Sequence, residues 1–248
     1  RFGATGQNVR GRVGTARIEP MTNCSEDILT GLSEQHLLTR SDGFMLHKTV
    51  AQPFSTLCTA AKAAGIEIKI VSAFRSYQRQ AAIWQAKLAG NRPVYNQEGQ
   101  VIDISSLTGK AKLDAVLLYS ALPGASRHHW GTELDIYDAG AVPPDYKPQL
   151  EPAEYGPNGP FYRLQQWLSV YAAEFGFFLP YREFQGGVAA EPWHISYQPL
   201  ASVYLANFNA DILRQCLIQH PLAEQQLVLT HLDAIFDRYV ANICLAEP

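Results

Sequence analysis

Four things are scarce in this chain, and each scarcity excludes something. No apolar run approaches the roughly 20 residues that a membrane-crossing helix needs, so no helical span is expected. An excess of one charge sign is missing too. Lys and Arg number 20 against 23 Asp and Glu, a net charge of −3, so no basic field exists to hold nucleic acid or an anionic membrane surface. Cysteine is sparse: Cys24, Cys58, Cys216 and Cys244 contain no CxxC pair, which removes the short thiol-based metal and redox motifs. Cys58 and Cys216 fall in phase with apolar helical neighbours and read as buried free thiols. Finally, residues 1–20 lack the apolar stretch of a secretory signal. Met21 is a candidate start, with 1–20 a leader or cloning remnant, and a signal removed before this numbering is left open.

What is present describes a globular protein. Hydrophobic residues make up 47% and charged residues 17% of 248, enough for one large core. The periodicity predicts a helix over 50–64, with Pro53 in its first turn and Gly65 as its stop. Residues 66–72 alternate like a strand, and Ser76 caps a second helix that ends at Gly90. A polar stretch over 91–106 precedes a helix over 112–122. Residues 132–137 alternate again, with Glu133, Asp135 and Tyr137 on one face. The Pro- and Gly-rich segment 138–160 reads as a long irregular loop, of a length that is often functional. A helix over 161–176, a strand over 193–197 and two helices over 199–218 and 222–245 complete the chain. Irregularly spaced strands among helices favour a single α+β domain, spanning 21–248, over a doubly wound sheet.

Two short stretches carry chemistry. SRHHWGTELD (126–135) holds His128 and Asp135, and EPWH (191–194) holds Glu191 and His194. Adjacent histidines on a polar turn are ordinarily surface residues. Taken together, however, His128, Asp135 and His194 supply two imidazoles and one carboxylate, which leaves a fourth tetrahedral position on zinc for water. Glu191 would be the carboxylate beside the metal that takes a proton from that water. Pro192 cannot donate to a sheet ladder, so the strand starts at Trp193 and turns His194 and Ser196 to one face. Gly131 permits the tight turn between His128 and the strand of Asp135. His129 is assigned to structure, its neighbour holding the ligand position.

The ordered set Ser126-x-His128-x-x-Gly131-x-x-x-Asp135, then Glu191-x-Trp193-His194, resembles the zinc D-alanyl-D-alanine carboxypeptidases, a family shared with D,D-dipeptidases and phage endolysins. AFRSYQRQ (73–80) matches a third family element through Arg75, Ser76 and Gln80, and the resemblance covers about residues 45–200. It implies a small, mainly antiparallel sheet that carries the zinc site and is packed by helices, a hedgehog/D,D-peptidase-like fold. The helices over 199–248 would be an extension of it. It also implies one zinc ion on His128, Asp135 and His194, and Glu191 as general base and acid. Arg75 would bind or polarise the peptide near the scissile carbonyl. Ser126 and Gln80 would hold the substrate's terminal carboxylate, next to Ser76, and Trp193 would wall the site. One departure stands out: the family usually has alanine where this chain has Glu133. That carboxylate could pair with Arg127, steer the substrate's amino group, or compete as a ligand.

The implied activity is hydrolysis of the terminal D-Ala-D-Ala bond of peptidoglycan stem peptides or muropeptides. D,D-dipeptidase, L,D-carboxypeptidase or endopeptidase cutting with the same site stays open, as does a non-catalytic zinc module. The presence of Glu191 and Arg75 disfavours the module. The substrate class points to the cell envelope or periplasm; a true start at Met21 would point to the cytoplasm. Oligomeric state is not readable.

Overall fold

The computed structural model describes residues 24–246, so the leader expected over 1–20 lies outside them. In chain order the elements begin with α1 (Glu26–Leu29) and a hairpin of β1 (Leu37–Thr39) and β2 (Met45–His47). Next come α2 (Ala51–Ala63), β3 (Ile68–Ser72) and α3 (Tyr77–Leu88). A second hairpin, β4 (Val94–Tyr95) with β5 (Val101–Ile102), leads to α4 (Gly109–Leu117) and a 3-10 turn, Arg127–Trp130. Then follow β6 (Glu133–Asp138), α5 (Pro152–Tyr155), α6 (Tyr162–Tyr171), β7 (Phe177–Phe178) and β8 (His194–Tyr197). The chain closes with α7 (Gln198–Asn207), α8 (Ala210–Gln219), α9 (Gln225–Thr230), α10 (Leu232–Ile235) and a π-helical turn, Phe236–Ala241.

The central sheet runs β3-β6-β8-β7, antiparallel throughout. Alternation along its strands divides it into an apolar and a polar face. On the apolar face Ile70, Leu134, Ile136 and Ile195 pack against Phe54 and Leu57 of α2 and Leu164 of α6. A second core joins Tyr77 and Trp84 of α3, Leu113 of α4 and Trp130 to the C-terminal helices. The α+β class with a small antiparallel sheet is therefore as expected. The C-terminal helices are more than an appendage, because Trp84 Nε1–H donates to the Ala223 carbonyl (3.0 Å) and Tyr239 Oη to Asp114 (3.1 Å).

Several boundaries differ from the sequence reading. The polar stretch 91–106 contains the β4–β5 hairpin, and the β1–β2 hairpin was not anticipated; strands of two or three residues carry too little alternation to read. The helix expected over 112–122 starts at Gly109 and ends at Leu117. After it, the chain turns so that the carbonyls of Leu118 and Ala121 accept from Ala189 N–H and Gln80 Nε2. The helix expected over 199–218 breaks at Phe208, where Asn209 caps a new helix by accepting from Ile212 N–H (3.0 Å). The last helix breaks at His231 and widens to π geometry at Phe236. All four cysteines are free; Cys216 and Cys244 are buried, Cys24 and Cys58 only half-buried.

Three buried histidines are structural. Thr49 N–H donates to His47 Nδ1 (3.0 Å) and Gly124 N–H to His129 Nε2 (3.1 Å), so both rings are neutral acceptors. Burial pushes His36 and His47 down to about 4 and His129 to about 3. The unfolded chain takes protons near 6.5, before the folded state does. This stabilisation is therefore complete above about pH 6.5 and is lost as pH falls toward 4. Urea titrations across that window should show falling stability, with a shallower fall in His47→Asn, whose side-chain oxygen can still accept from Thr49. An equal slope in both proteins would remove His47 from the account.

Candidate metal centre and its groove

The site is built by two strands and two turns. β6 and β8 pair with Asp135 opposite His194 and Glu133 opposite Ser196, so all four side chains share the polar face. Gly131, at φ +70°, ends the turn that carries His128; a Cβ there would lie 2.5 Å from Leu37 Cδ2 and 2.8 Å from the His47 nitrogen. Only glycine fits this crossing of β6's entry under the first hairpin. Glu191 lies in the bend before β8, with its backbone N–H donating to the Tyr181 carbonyl (2.8 Å).

His128, Asp135 and His194 each offer one ligand atom, all within 4.8 Å of one another, and all three residues are buried. His128 Nδ1–H donates to the Ala73 carbonyl (2.7 Å), which leaves Nε2 facing Asp135 Oδ2 at 3.4 Å. His194 presents its other nitrogen: Nδ1 stands 3.2 Å from Asp135 Oδ1 and 3.2 Å from Glu191 Oε2. Asp135 Oδ1 and His194 Nδ1 are buried without a hydrogen-bond partner. Zinc bonds of about 2.0–2.1 Å in a tetrahedron separate ligand atoms by about 3.3 Å. The donor types, the spacing and the two orphaned atoms fit a divalent cation.

Electrostatics follow from burial and pairing. Burial alone would raise the Asp135 carboxyl, but His128 and His194 outweigh it and hold it well below the usual carboxylate range. Burial and the Arg75 charge lower His128. His194 goes the other way: burial would lower it, yet the carboxylates of Asp135, Glu133 and Glu191 around its ring lift it well above the ordinary value. Glu191 is raised by burial, with His194 opposing in part. A carboxyl raised in this way holds a proton more readily than an exposed one, which suits a group that takes up and passes on protons.

Arg75 reaches the cluster from the loop before α3. Its Nη2 donates to Asp135 Oδ2 (2.9 Å), Nε to Ser72 Oγ (3.0 Å) and Nη1 to Gln80 Oε1 (3.4 Å). Above the site opens a groove of about 670 Å³, lined by Arg75, Ser126, Glu191 and Trp193 among the expected residues. Trp193 also belongs to the sheet's apolar core.

Three expected substrate contacts are placed elsewhere. Gln80 is fully buried; it donates to the Ala121 carbonyl (2.7 Å) and accepts from Arg75, so it braces the arginine instead of touching the groove. Ser76 caps α3 by accepting from Arg79 N–H (3.3 Å). Glu133 is wholly buried beneath His194 and does not line the groove.

Other groove residues went unread. Tyr181 packs its ring edge-on to His194 (5.0 Å) from a segment with no periodicity. Arg79 and Lys87 follow Arg75 at helical spacing and share its wall with Arg92, a pattern visible in the sequence but not used. Segment 138–160 is ordered into a second wall: Glu154 accepts from the Gln149 and Glu151 N–H groups and from Tyr146, which sets Gln149–Ala153 along the groove.

Residues 43–200 match the family model of the D-alanyl-D-alanine carboxypeptidases (VanY). The chain belongs to this family. It is thus a metallopeptidase by family, and His128, Asp135 and His194 are donors that suit a metal ion. Two uncharacterised proteins of Haemophilus influenzae are relatives. One is 40% identical over 121 residues, covering 48% of this chain and 92% of the relative; the other is 34% identical over 100 residues, covering 39% and 68%. Among solved structures, a vancomycin resistance D,D-pentapeptidase VanY mutant in complex with Zn(II) aligns at TM-score 0.47 and 23% identity, over 73% of this chain and 92% of that one. VanYB in complex with D-alanine-D-alanine aligns at 0.47 and 24%, over 74% and 88%.

Proposed function

We propose that this protein removes the terminal D-alanine from peptidoglycan stem peptides ending in D-Ala-D-Ala, using one zinc ion held by His128, Asp135 and His194. The observation that carries the reading is the convergence of three ligand atoms within 4.8 Å, with the Glu191 carboxylate 3.2 Å from one of them, at the floor of an open groove. Zinc, when bound, supplies a Lewis acid that polarises a carbonyl and acidifies water. Glu191 takes the proton of the attacking water on its carboxylate and delivers it to the leaving amine. Arg75, braced by Ser72 and Gln80, offers its guanidinium to the oxygen on which negative charge develops. Trp193 and Tyr181 wall the reacting centre and limit water.

A carboxypeptidase acting on a long peptide suits this groove better than a dipeptidase. About 670 Å³ is far more room than two alanines occupy. Arg75, Arg79, Lys87 and Arg92 present cations, while Glu98 and Glu151 present carboxylates. That mixture matches a peptide with both free carboxylates and an amine. Burial in this wall lowers Lys87 to about 8, so its charge is fully present only below that pH.

Two experiments test the reading. Zinc-loaded protein incubated with a muropeptide pentapeptide should release one alanine by mass spectrometry. Glu191→Gln should slow that release by about 10²–10⁴-fold while keeping its zinc. A zinc-replete Glu191→Gln at the wild-type rate would reject the base assignment. Lys87→Gln should raise KM severalfold for the pentapeptide and leave KM for a short acylated D-Ala-D-Ala unchanged. An equal change on both would place Lys87 outside substrate recognition.

A further inference from the structure

Glu133 stands where the family pattern has alanine, and its surroundings are unusual for a carboxylate. The side chain is wholly buried on β6, on the same face as Asp135. Its Oε1 accepts from Thr132 Oγ1 (2.9 Å), Ser196 Oγ (2.6 Å) and Arg127 Nη2 (3.2 Å). Arg127 Nη2 also donates to Ser196 Oγ (2.9 Å), and its guanidinium lies 4.8 Å above the Trp130 ring. The remaining oxygen, Oε2, is 2.8 Å from His194 Nε2.

A buried ion is tolerated only when paired and hydrogen-bonded, and both Glu133 oxygens are so held, while Arg127 bonds through Nη2 and leaves Nε and Nη1 buried without partners. The contact with His194 decides the chemistry. A carboxylate can only accept, so Nε2 of His194 must carry the proton. In the neutral ring that a metal ligand requires, Nδ1 then holds the lone pair, 3.2 Å from both Asp135 Oδ1 and Glu191 Oε2. His128 is arranged in mirror fashion, its Nδ1–H spent on the Ala73 carbonyl and its Nε2 turned to the cluster, 3.4 Å from Asp135 Oδ2 and 3.2 Å from Arg75 Nη2. One ligand histidine is oriented by a backbone carbonyl and the other by a full negative charge. A carboxylate behind a ligating imidazole fixes the ring and raises its basicity as a ligand.

We infer that Glu133 is a positioning residue of the metal centre: held by Arg127, Ser196 and Thr132, it sets the His194 tautomer and tightens that ligand's grip on the metal. It acts through His194 and does not meet the substrate. The inference rests on the three-ligand set proposed above and is independent of which peptide is cut.

The test is zinc affinity, measured by competition with a chromophoric chelator, alongside thermal unfolding of the metal-free protein. Glu133→Gln keeps the shape and an acceptor but removes the charge. It should remain folded and bind zinc about 10–100-fold more weakly. Trp84→Phe removes the hydrogen bond to the Ala223 carbonyl in the other core, far from His194; it should lower the unfolding temperature and hold zinc within about threefold of wild type. Should Glu133→Gln fail to fold, Glu133→Ala with Arg127→Leu, which removes the charge pair together, takes its place with the same expected loss. A folded charge-removing variant with wild-type affinity would overturn the inference. So would an equal affinity loss in Trp84→Phe, because that would reduce the effect of Glu133 to general destabilisation. Wild-type protein that takes up no zinc would overturn the ligand set itself, and this inference with it.

Discussion

Asp135 meets His194 because β6 and β8 pair antiparallel in one particular register, and the whole site depends on that pairing. Side chains alternate across a sheet, so a slip of one residue would carry Asp135 and Glu133 into the apolar core and bring Leu134 and Ile136 out. The core holds the register by burying Leu134, Ile136 and Ile195 completely on the other face. Two further contacts pin the strand. Gly131 lets its entry pass against His47, and Tyr155 Oη donates to the Ile136 carbonyl (2.8 Å). Apolar packing on one face thus sets the polar geometry on the other.

That polar face gathers more buried charge than stability alone would favour. Glu133, Arg127 and Asp135 are all nearly inaccessible, and each is accommodated only through its neighbours. Such a network is fixed in place because losing one member would strand the others in a low-dielectric setting. Its rigidity extends outward through Arg75 to Gln80 on α3. Helix α3 is in turn held from behind by the C-terminal helices, through Trp84 to Ala223 and through Tyr77 to the His220 carbonyl. Residues far from the metal therefore determine where Arg75 and the basic wall of the groove lie.

Much of this was readable from the sequence, for identifiable reasons. Helices α2 and α3 have clear periods, a capping Ser76 and terminal glycines at φ +77° and +74°, and their bounds fell within a residue or two of expectation. The convergence of His128, Asp135 and His194 was readable because the donor types and their order in the chain are distinctive, and the structure brings all three together. What escaped was decided by tertiary contacts. Gln80 looked like a substrate contact because it shares a motif with Arg75, but full burial makes it a brace. Glu133 was open to pairing with Arg127, to a place in the groove and to a ligand role; the pairing is what the structure shows, and the contact the sequence did not reveal is the one with His194. Tyr181 and the groove-lining 149–153 segment sit in irregular backbone, where no period marks a residue's direction.

The central claim is that one strand register assembles a metal site of two imidazoles and one carboxylate with a position left open. Zinc-edge X-ray absorption of the loaded protein reads that first shell directly. The account predicts only nitrogen and oxygen scatterers at about 2.0–2.2 Å, with the outer-shell signature of two imidazoles and one light ligand exchangeable with solvent. A sulfur shell at about 2.3 Å, or a closed set of four protein ligands, would contradict it.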